Sequence, residues 1–127
     1  MPKLQSAAPC FPVADVGATA RWYKEHLGFD FDPFPANEPY QFAVLWRDRV
    51  EIMLQRVKDY EKPEVYNRRS GGVWDAYIRM EGVTAFYEQV CETTNIILTL
   101  RKQPYGDSEF ELKDPNGYIL AFSELID

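Results

Sequence analysis

One plan of secondary structure occurs twice in this chain, and the repeat constrains the fold more than any other feature of the sequence. Residues Val13–Val16 align with Met80–Val83 at an offset of 67 positions, and Val50–Gln55 align with Tyr118–Ser123 at an offset of 68. Self-similarity at a fixed spacing indicates a repeated structural unit. Because there are only two copies, the sequence predicts a tandem of two similar modules and not a solenoid.

The first copy reads as a strand, an amphipathic helix and three further strands. Asp15 is a suitable N-cap for a helix over 16–27, and Gly28 follows where a left-handed residue usually ends a helix. β-Branched and aromatic residues favour strands after the helix, whereas the Pro-Phe-Pro sequence at 33–35 predicts a loop. The predicted strands are 8–13, 29–31, 41–47 and 50–56.

The second copy repeats this order. Its predicted helix covers 83–92, and the turn Asp114–Gly117 combines the fixed φ of proline with an Asn-Gly pair, which favours a hairpin. The predicted strands are 74–80, 96–100, 110–113 and 118–123. The polar stretch 57–72 between the copies has no sustained periodicity, so it is predicted to be a linker that lines a site or reaches a partner subunit.

Together these segments predict an α+β fold, in which two tandem β-α-β-β-β modules form a cupped mixed sheet with the helices outside. The length of 127 residues fits one compact domain. The predicted organisation is a single domain over 1–127, with module one at about 8–56, the linker at 57–72 and module two at about 73–124.

Charge and composition argue against several classes of function. The net charge is −6 and no basic run extends beyond Arg68-Arg69, so we expect no nucleic-acid partner and no binding to an anionic membrane. No apolar stretch reaches the roughly 20 residues of a membrane-spanning helix, and the N-terminus lacks the pattern of a signal peptide. The two cysteines, Cys10 and Cys91, form no disulfide framework, which predicts a cytoplasmic protein with free thiols and a buried Cys10.

Three segments carry a resemblance to a known superfamily, namely 11–29, 50–56 and 110–124. The chain resembles the vicinal-oxygen-chelate superfamily of glyoxalase I, ring-cleaving dioxygenases and bleomycin-resistance proteins, and it is most similar to the metal-free bleomycin-resistance-like group. This resemblance implies a small-molecule ligand and a homodimer with clefts at or near the subunit interface. Because one fold hosts several chemistries, the resemblance specifies the fold and leaves the activity open.

Metal-using members of this superfamily have ligands at four strand positions, which the resemblance maps onto Ala8, Met53, Asp75 and Ala121. Alanine has no donor atom and a thioether prefers soft metals, so only Asp75 can bind a hard cation. The sequence therefore predicts no metal and no cofactor. A register shifted by two residues would put Glu51 in a ligand position, and Glu51 with Asp75 would support at most a weakly held, mostly hydrated Mg²⁺ or Mn²⁺.

Side chains alternate across a strand, so one fixed position assigns the face of the others. If Met53 faces the cavity, pairing across the hairpin adds Val44 and Trp46. The same reasoning in the second module puts Trp74 on the opposite face from Asp75, in the core or an interface. The predicted ligand-binding residues are Val44, Trp46, Glu51, Met53, Asp75, Tyr77, Arg79 and Ala121.

Two functions follow from this pattern. The first is a metal-free small-molecule-binding protein of the glyoxalase/bleomycin-resistance type, which holds a ligand in an aromatic cleft and attracts a cationic one through its carboxylates. The alternative is a glyoxalase-like lyase or isomerase, or a dioxygenase, that uses Glu51 and Asp75 with or without a weakly bound divalent metal. In a plainer interpretation, Asp75 and Arg79 form only a solvated ion pair. A third possibility is a protein with only a structural or partner-binding role. The binding function is favoured because the metal-ligand positions lack donors while the cavity face keeps aromatic residues.

Overall fold

The computed structural model describes residues 1–69 and 71–125. Contacts within the chain define two compact units, the first being Met1–Tyr60 and the second beginning at Glu61. Each unit contains one four-stranded mixed sheet and one helix, in the order strand, helix and three strands. The predicted α+β fold of two β-α-β-β-β modules is therefore confirmed.

In the first unit, a short strand precedes the helix and three strands follow it. The elements are β1 (Cys10–Val13), α1 (Val16–Leu27), β2 (Asp30–Phe34), β3 (Phe42–Arg47) and β4 (Val50–Arg56). The order across the sheet is β1-β4-β3-β2, with β1 parallel to β4 and the other neighbours antiparallel. Met53 on β4 lies opposite Cys10 on one side and Val44 on the other.

The first helix begins and ends where the sequence predicts. The Asp15 side chain accepts a hydrogen bond from Ala18 N at 3.0 Å, which satisfies one free N–H group of the first turn. Gly28 ends the helix with a φ of 72°, and a Cβ at this position would lie 2.9 Å from Arg47 Nη1. The helix buries its apolar side against one face of the sheet. The buried apolar side chains include Val16, Ala20, Tyr23 and Leu27 from α1, and Phe11, Val13, Ala43, Leu45, Ile52 and Leu54 from the strands.

The second unit has the same topology. Its elements are β5 (Ala76–Arg79), α2 (Val83–Val90), β6 (Asn95–Lys102), β7 (Asp107–Lys113) and β8 (Ile119–Leu125). The order is β5-β8-β7-β6, with β5 parallel to β8. Ala121 on β8 lies between Tyr77 and Glu111 in register, as Met53 lies between Cys10 and Val44 in the first sheet. The two sheets therefore have the same strand order, with Met53 and Ala121 in equivalent places, whereas the register shifts between β6 and β7 have no counterpart between β2 and β3.

The N-terminus of the second helix is capped by a side chain from a residue that is distant in the sequence. Glu124 Oε1, on β8, accepts hydrogen bonds from Gly82 N and Val83 N, both at 3.0 Å. Phe86, on the sheet-facing side of α2, packs against Phe110 and Phe122. The ring centroids are 6.1 and 5.0 Å apart, respectively. Neither helix in the described part of the chain has the length and apolarity needed to cross a membrane.

Several strands extend beyond their predicted bounds. β2 continues to Phe34 through residues predicted to form a loop, and Pro33 is tolerated because β2 is an edge strand. β7 begins at Asp107 and not at residue 110, because its first residues pair with the end of β8, where Asp107 lies opposite Leu125. This longer β7 changes which side chains share a face with the predicted site.

Candidate functional site

Each sheet has one face covered by its helix, and we call the opposite face its helix-free face. On the first sheet, Val44 lies opposite Met53 and Trp46 lies opposite Glu51, all on the helix-free face. Val44 and Met53 are half-buried, whereas Glu51 and Trp46 are exposed. Their strand neighbours are buried under α1, as alternation requires. The structure thus brings the four predicted residues of the first module together on one face.

Cys10 belongs to this same face and is exposed, so the prediction of a buried thiol was wrong. In register it lies beside Met53, on the side of β1 that α1 does not cover. Phe11, the next residue along the strand, takes the buried position under the helix.

On the second sheet, Tyr77, Arg79 and Ala121 share the helix-free face, together with Ser123 opposite Arg79. Tyr77 is half-buried and Arg79 is exposed, whereas Ala121 is fully buried. Asp75 directly precedes β5. Tyr77, Arg79 and Ala121 therefore lie on β5 and β8, and Asp75 lies just before β5.

Asp75 and Arg79 do not pair with each other, so the interpretation as a mutual ion pair was wrong. Asp75 Oδ2 accepts a hydrogen bond from Ile119 N at 2.8 Å and lies 3.3 Å from Lys62 Nζ. Arg79 Nη1 instead lies 2.8 Å from Asp107 Oδ2. The partners come from residues far away in the sequence, which strand parity does not identify.

Trp74 also differs from its prediction. Its ring centroid lies 4.8 Å from that of Tyr77, a residue of the helix-free face, and 36% of Trp74 is exposed. Parity predicted the opposite face because the strand was expected to begin at residue 74. The strand begins at Ala76, so alternation does not apply to Trp74.

Three carboxylates on β7 complete this face, and the sequence interpretation missed them. Asp107, Glu109 and Glu111 alternate along the strand and are only 3%, 1% and 0% exposed. Phe110 lies between Glu109 and Glu111, and Leu112 follows Glu111. Both are buried on the opposite side of the strand. The alternating pattern is visible in the sequence, but the predicted strand begins only at residue 110 and so leaves out Asp107 and Glu109. Burial of charged side chains is rare unless they are paired or hydrogen-bonded.

Tyrosine hydroxyls supply hydrogen bonds to these carboxylates. The Tyr77 hydroxyl lies 2.8 Å from Glu109 Oε2 and 2.9 Å from Asp107 Oδ2. The Tyr105 hydroxyl donates to the other Glu109 oxygen, Oε1. With Arg79 on Asp107, the contacts form a continuous chain across the sheet.

Burial and these contacts change the ionisation of the phenols. Burial raises the pKa of Tyr77 to about 12; the Ser123 hydroxyl acts against this, whereas the hydrogen bonds to Glu109 and Asp107 reinforce it. The pKa of Tyr105 is also raised, by burial and then by Glu109. Phenols with raised pKa values remain protonated at neutral pH, so they act as hydrogen-bond donors to the carboxylates.

Part of the predicted linker lies against the same sheet. The Tyr66 hydroxyl donates to Glu111 Oε1, and Gly72 N lies 3.2 Å from Glu111 Oε2. Lys113 Nζ is 2.6 Å from Glu64 Oε2. Burial is the main cause that raises the pKa of Tyr66, followed by the hydrogen bond to Glu111. These contacts attach Glu64, Tyr66 and Gly72 to β7.

The residues at the superfamily's metal-ligand positions do not fit a hard divalent cation. Ala8 and Ala121 have no donor atom and Met53 offers a thioether, while Asp75 is engaged by Ile119 N and Lys62. Among the residues that the structure describes, no group of three or more His, Cys, Asp or Glu side chains is placed to hold a metal ion. The matching registers make Met53, and not Glu51, the equivalent of Ala121.

A separate cavity of about 500 Å³ lies in the first unit, beside the N-terminus of α1. It is lined by Ala14–Gly17, Glu38–Tyr40 and Arg56. None of the predicted ligand-binding residues lines it. The cavity combines acidic and basic side chains, so its charge favours no single class of ligand.

The sequence was compared with models of known protein families. Residues 5–122 match the model of the Glyoxalase/Bleomycin resistance protein/Dioxygenase superfamily. This match covers most of the chain, and the chain therefore belongs to that superfamily. No protein of curated function matches the sequence significantly.

Solved structures show the same fold at low sequence identity. A glyoxalase-related enzyme from Clostridium phytofermentans has a TM-score of 0.76 and 18% identity, over 98% of this chain and 97% of that one. TioX from Micromonospora sp. ML1 has a TM-score of 0.76 and 15% identity, over 96% and 99%. The bleomycin-binding protein from bleomycin-producing Streptomyces verticillus, complexed with copper(II)-bleomycin, has a TM-score of 0.68 and 21% identity, over 96% and 97%. At these identities the likeness extends to the fold alone.

Proposed function

We propose that this protein binds a small organic ligand on the helix-free faces of its sheets, without a divalent metal. The observation that carries the proposal is the donor set at the superfamily's ligand positions, where two alanines, a methionine and an engaged aspartate stand. A bleomycin-binding protein with the same fold shows that the fold can serve binding of a small molecule. The proposed ligand-binding residues are Val44, Trp46, Glu51, Met53, Asp75, Tyr77, Arg79 and Ala121.

Aromatic and sulfur-containing side chains support this function on the first sheet. Trp46 is 41% exposed. It lies two residues along β3 from Val44, which is opposite Met53, and all three are on the same face. An exposed tryptophan beside half-buried apolar groups provides a flat surface on which a planar ligand can stack.

We further propose that the protein is a cytoplasmic homodimer. The two free cysteines, Cys10 and Cys91, agree with the reducing conditions of the cytoplasm.

The enzyme alternative through Glu51 and Asp75 has less support. A general base needs an accessible carboxylate. Asp75 Oδ2 accepts a backbone hydrogen bond at 2.8 Å and has Lys62 at 3.3 Å, so one of the two Asp75 oxygens is already committed to contacts within the protein. These contacts explain Asp75 as a support for the start of β8.

A ligand screen tests the proposal. Compounds that raise the unfolding temperature of the metal-free protein are titrated by calorimetry into the wild type and into Trp46→Ala. Loss of one stacking partner is expected to weaken binding about threefold to tenfold. The control is Trp22→Phe, on α1, which preserves a ring beside Tyr23 and His26. Equal affinity of Trp46→Ala and wild type for every ligand would remove Trp46 from the site, and the absence of any ligand would contradict the proposal.

A further inference from the structure

The helix-free face of the second sheet holds more carboxyl groups than cationic partners. Asp107, Glu109 and Glu111 are almost completely buried on one strand. Within the described part of the chain, Arg79 alone forms an ion pair with any of them, and it does so with Asp107. The Arg79 side chain is itself 63% exposed, so solvent screens its charge. Glu109 and Glu111 are therefore buried without a cationic partner.

Hydrogen bonds also fall short of what these carboxylates can accept. An ionised carboxylate offers about four acceptor sites. The single hydroxyl hydrogen of Tyr77 faces both Glu109 Oε2 and Asp107 Oδ2, at 2.8 and 2.9 Å, so one hydrogen serves two acceptors. Tyr105 adds one more to Glu109. Glu109 thus retains free acceptor capacity in a buried position.

Ser123 provides an independent sign of a missing partner. Its Oγ is fully buried and has no hydrogen-bond partner among residues 1–69 and 71–125. In register it lies directly between Glu109 on β7 and Arg79 on β5, on the same face. The hydroxyl is near enough to that of Tyr77 to lower its pKa, yet no hydrogen bond of normal geometry joins them. Buried hydroxyls without a partner are unfavourable and therefore uncommon.

We propose that Glu109, Asp107 and Ser123 form a recognition site for the ammonium group of an organic ligand. An ammonium group has three hydrogen-bond donors, one positive charge and no acceptor, which matches two carboxylates and a free hydroxyl oxygen. Tyr105 is 57% exposed and its hydroxyl donates to Glu109, so movement of this side chain would open the buried Glu109 carboxylate to a ligand. The inference rests on the proposed small-molecule function and names the class of ligand as primary amines.

The test compares phenethylammonium with phenylethanol, its neutral analogue of nearly equal size, by calorimetry at neutral pH. We expect phenethylammonium to bind at least about tenfold more tightly, because charged hydrogen bonds are the stronger ones. Glu109→Gln and Ser123→Ala are each expected to weaken that binding severalfold. The control is Glu88→Gln, which removes an exposed charge from α2 in the same unit and should leave the affinity unchanged.

The outcomes separate this inference from the proposed function. Equal affinity for the two probes, or unchanged ammonium binding in both variants, would overturn the ammonium site while leaving small-molecule binding intact. Failure of both probes to bind would also overturn it, and the wider ligand screen with Trp46→Ala would then decide the proposed function separately. If Glu109→Gln does not fold, as judged by circular dichroism, Ser123→Ala decides alone, because it deletes a single oxygen.

Discussion

The Tyr77 hydroxyl lies 2.8 Å from Glu109 Oε2, although the two residues are on strands separated by β8. Neighbouring strands are about 4.8 Å apart, so the Tyr77 side chain must extend across β8 to reach β7. Ala121 and Ser123, the β8 residues on this face, are small enough to permit this. The buried alanine at a superfamily metal-ligand position is thus explained by the tyrosine beside it.

Removing the Tyr77 hydroxyl should destabilise the fold. Tyr77→Phe leaves Glu109 and Asp107 with fewer donors in a buried position, and we expect a loss of about 1–3 kcal/mol in the free energy of unfolding. Urea denaturation followed by circular dichroism measures this. The matched control is Tyr87→Phe in the same unit, which keeps its ring 5.0 Å from Phe110 and should change stability little. A Tyr77→Phe protein as stable as wild type would show that the hydroxyl contacts contribute nothing.

Stability should fall at alkaline pH. The pKa of Tyr77 is raised from 10.0 to about 12, so the folded state holds this proton more tightly than the unfolded state does. The resulting stabilisation is fully present below pH 10 and is lost as the pH rises towards 12. Unfolding temperatures measured across this range should decline, and the decline should be smaller in Tyr77→Phe. An identical pH profile in the two proteins would contradict the raised pKa.

A larger side chain at Ala121 should not fit. The residue is fully buried beside Tyr77, so Ala121→Leu is expected to lower stability by about 1–3 kcal/mol through overpacking. Ala85→Leu, on the exposed side of α2, adds the same atoms without burial and serves as the control. Thermal denaturation measures both variants. If Ala121→Leu were as stable as the control, the space above β8 would be open and not filled by Tyr77.

Local signals predicted the elements that local interactions determine. Asp15 and Gly28 bound α1 as expected, since capping depends on residues within a few positions of the helix end. β4 covers Val50–Arg56 as predicted, because its alternating apolar residues have one buried side. The repeat itself predicted the equivalence of Met53 and Ala121, which the registers of the two sheets confirm.

Contacts between distant residues were not predictable in the same way. The partner of Arg79 is Asp107, on a strand that is not adjacent to β5 in the sheet. The acidic side of β7 depends on how far the hairpin with β8 extends, and a polar sequence such as that from Asp107 to Glu109 also suits a loop. Whether Asp107–Glu109 form a strand or a loop depends on their pairing with β8, which is a contact between residues distant in the sequence.

Metal binding distinguishes the proposed metal-free function from the metal-dependent activities of the superfamily. Chelator-treated protein is titrated calorimetrically with Mn²⁺, Ni²⁺ and Zn²⁺, and the metal content of protein purified without chelators is measured by elemental analysis. Because Ala8, Met53 and Ala121 offer no oxygen or nitrogen side-chain donor, we expect no stoichiometric metal and no specific binding. One bound metal per chain, lost in Asp75→Ala while the fold is retained, would contradict the metal-free function proposed for this protein.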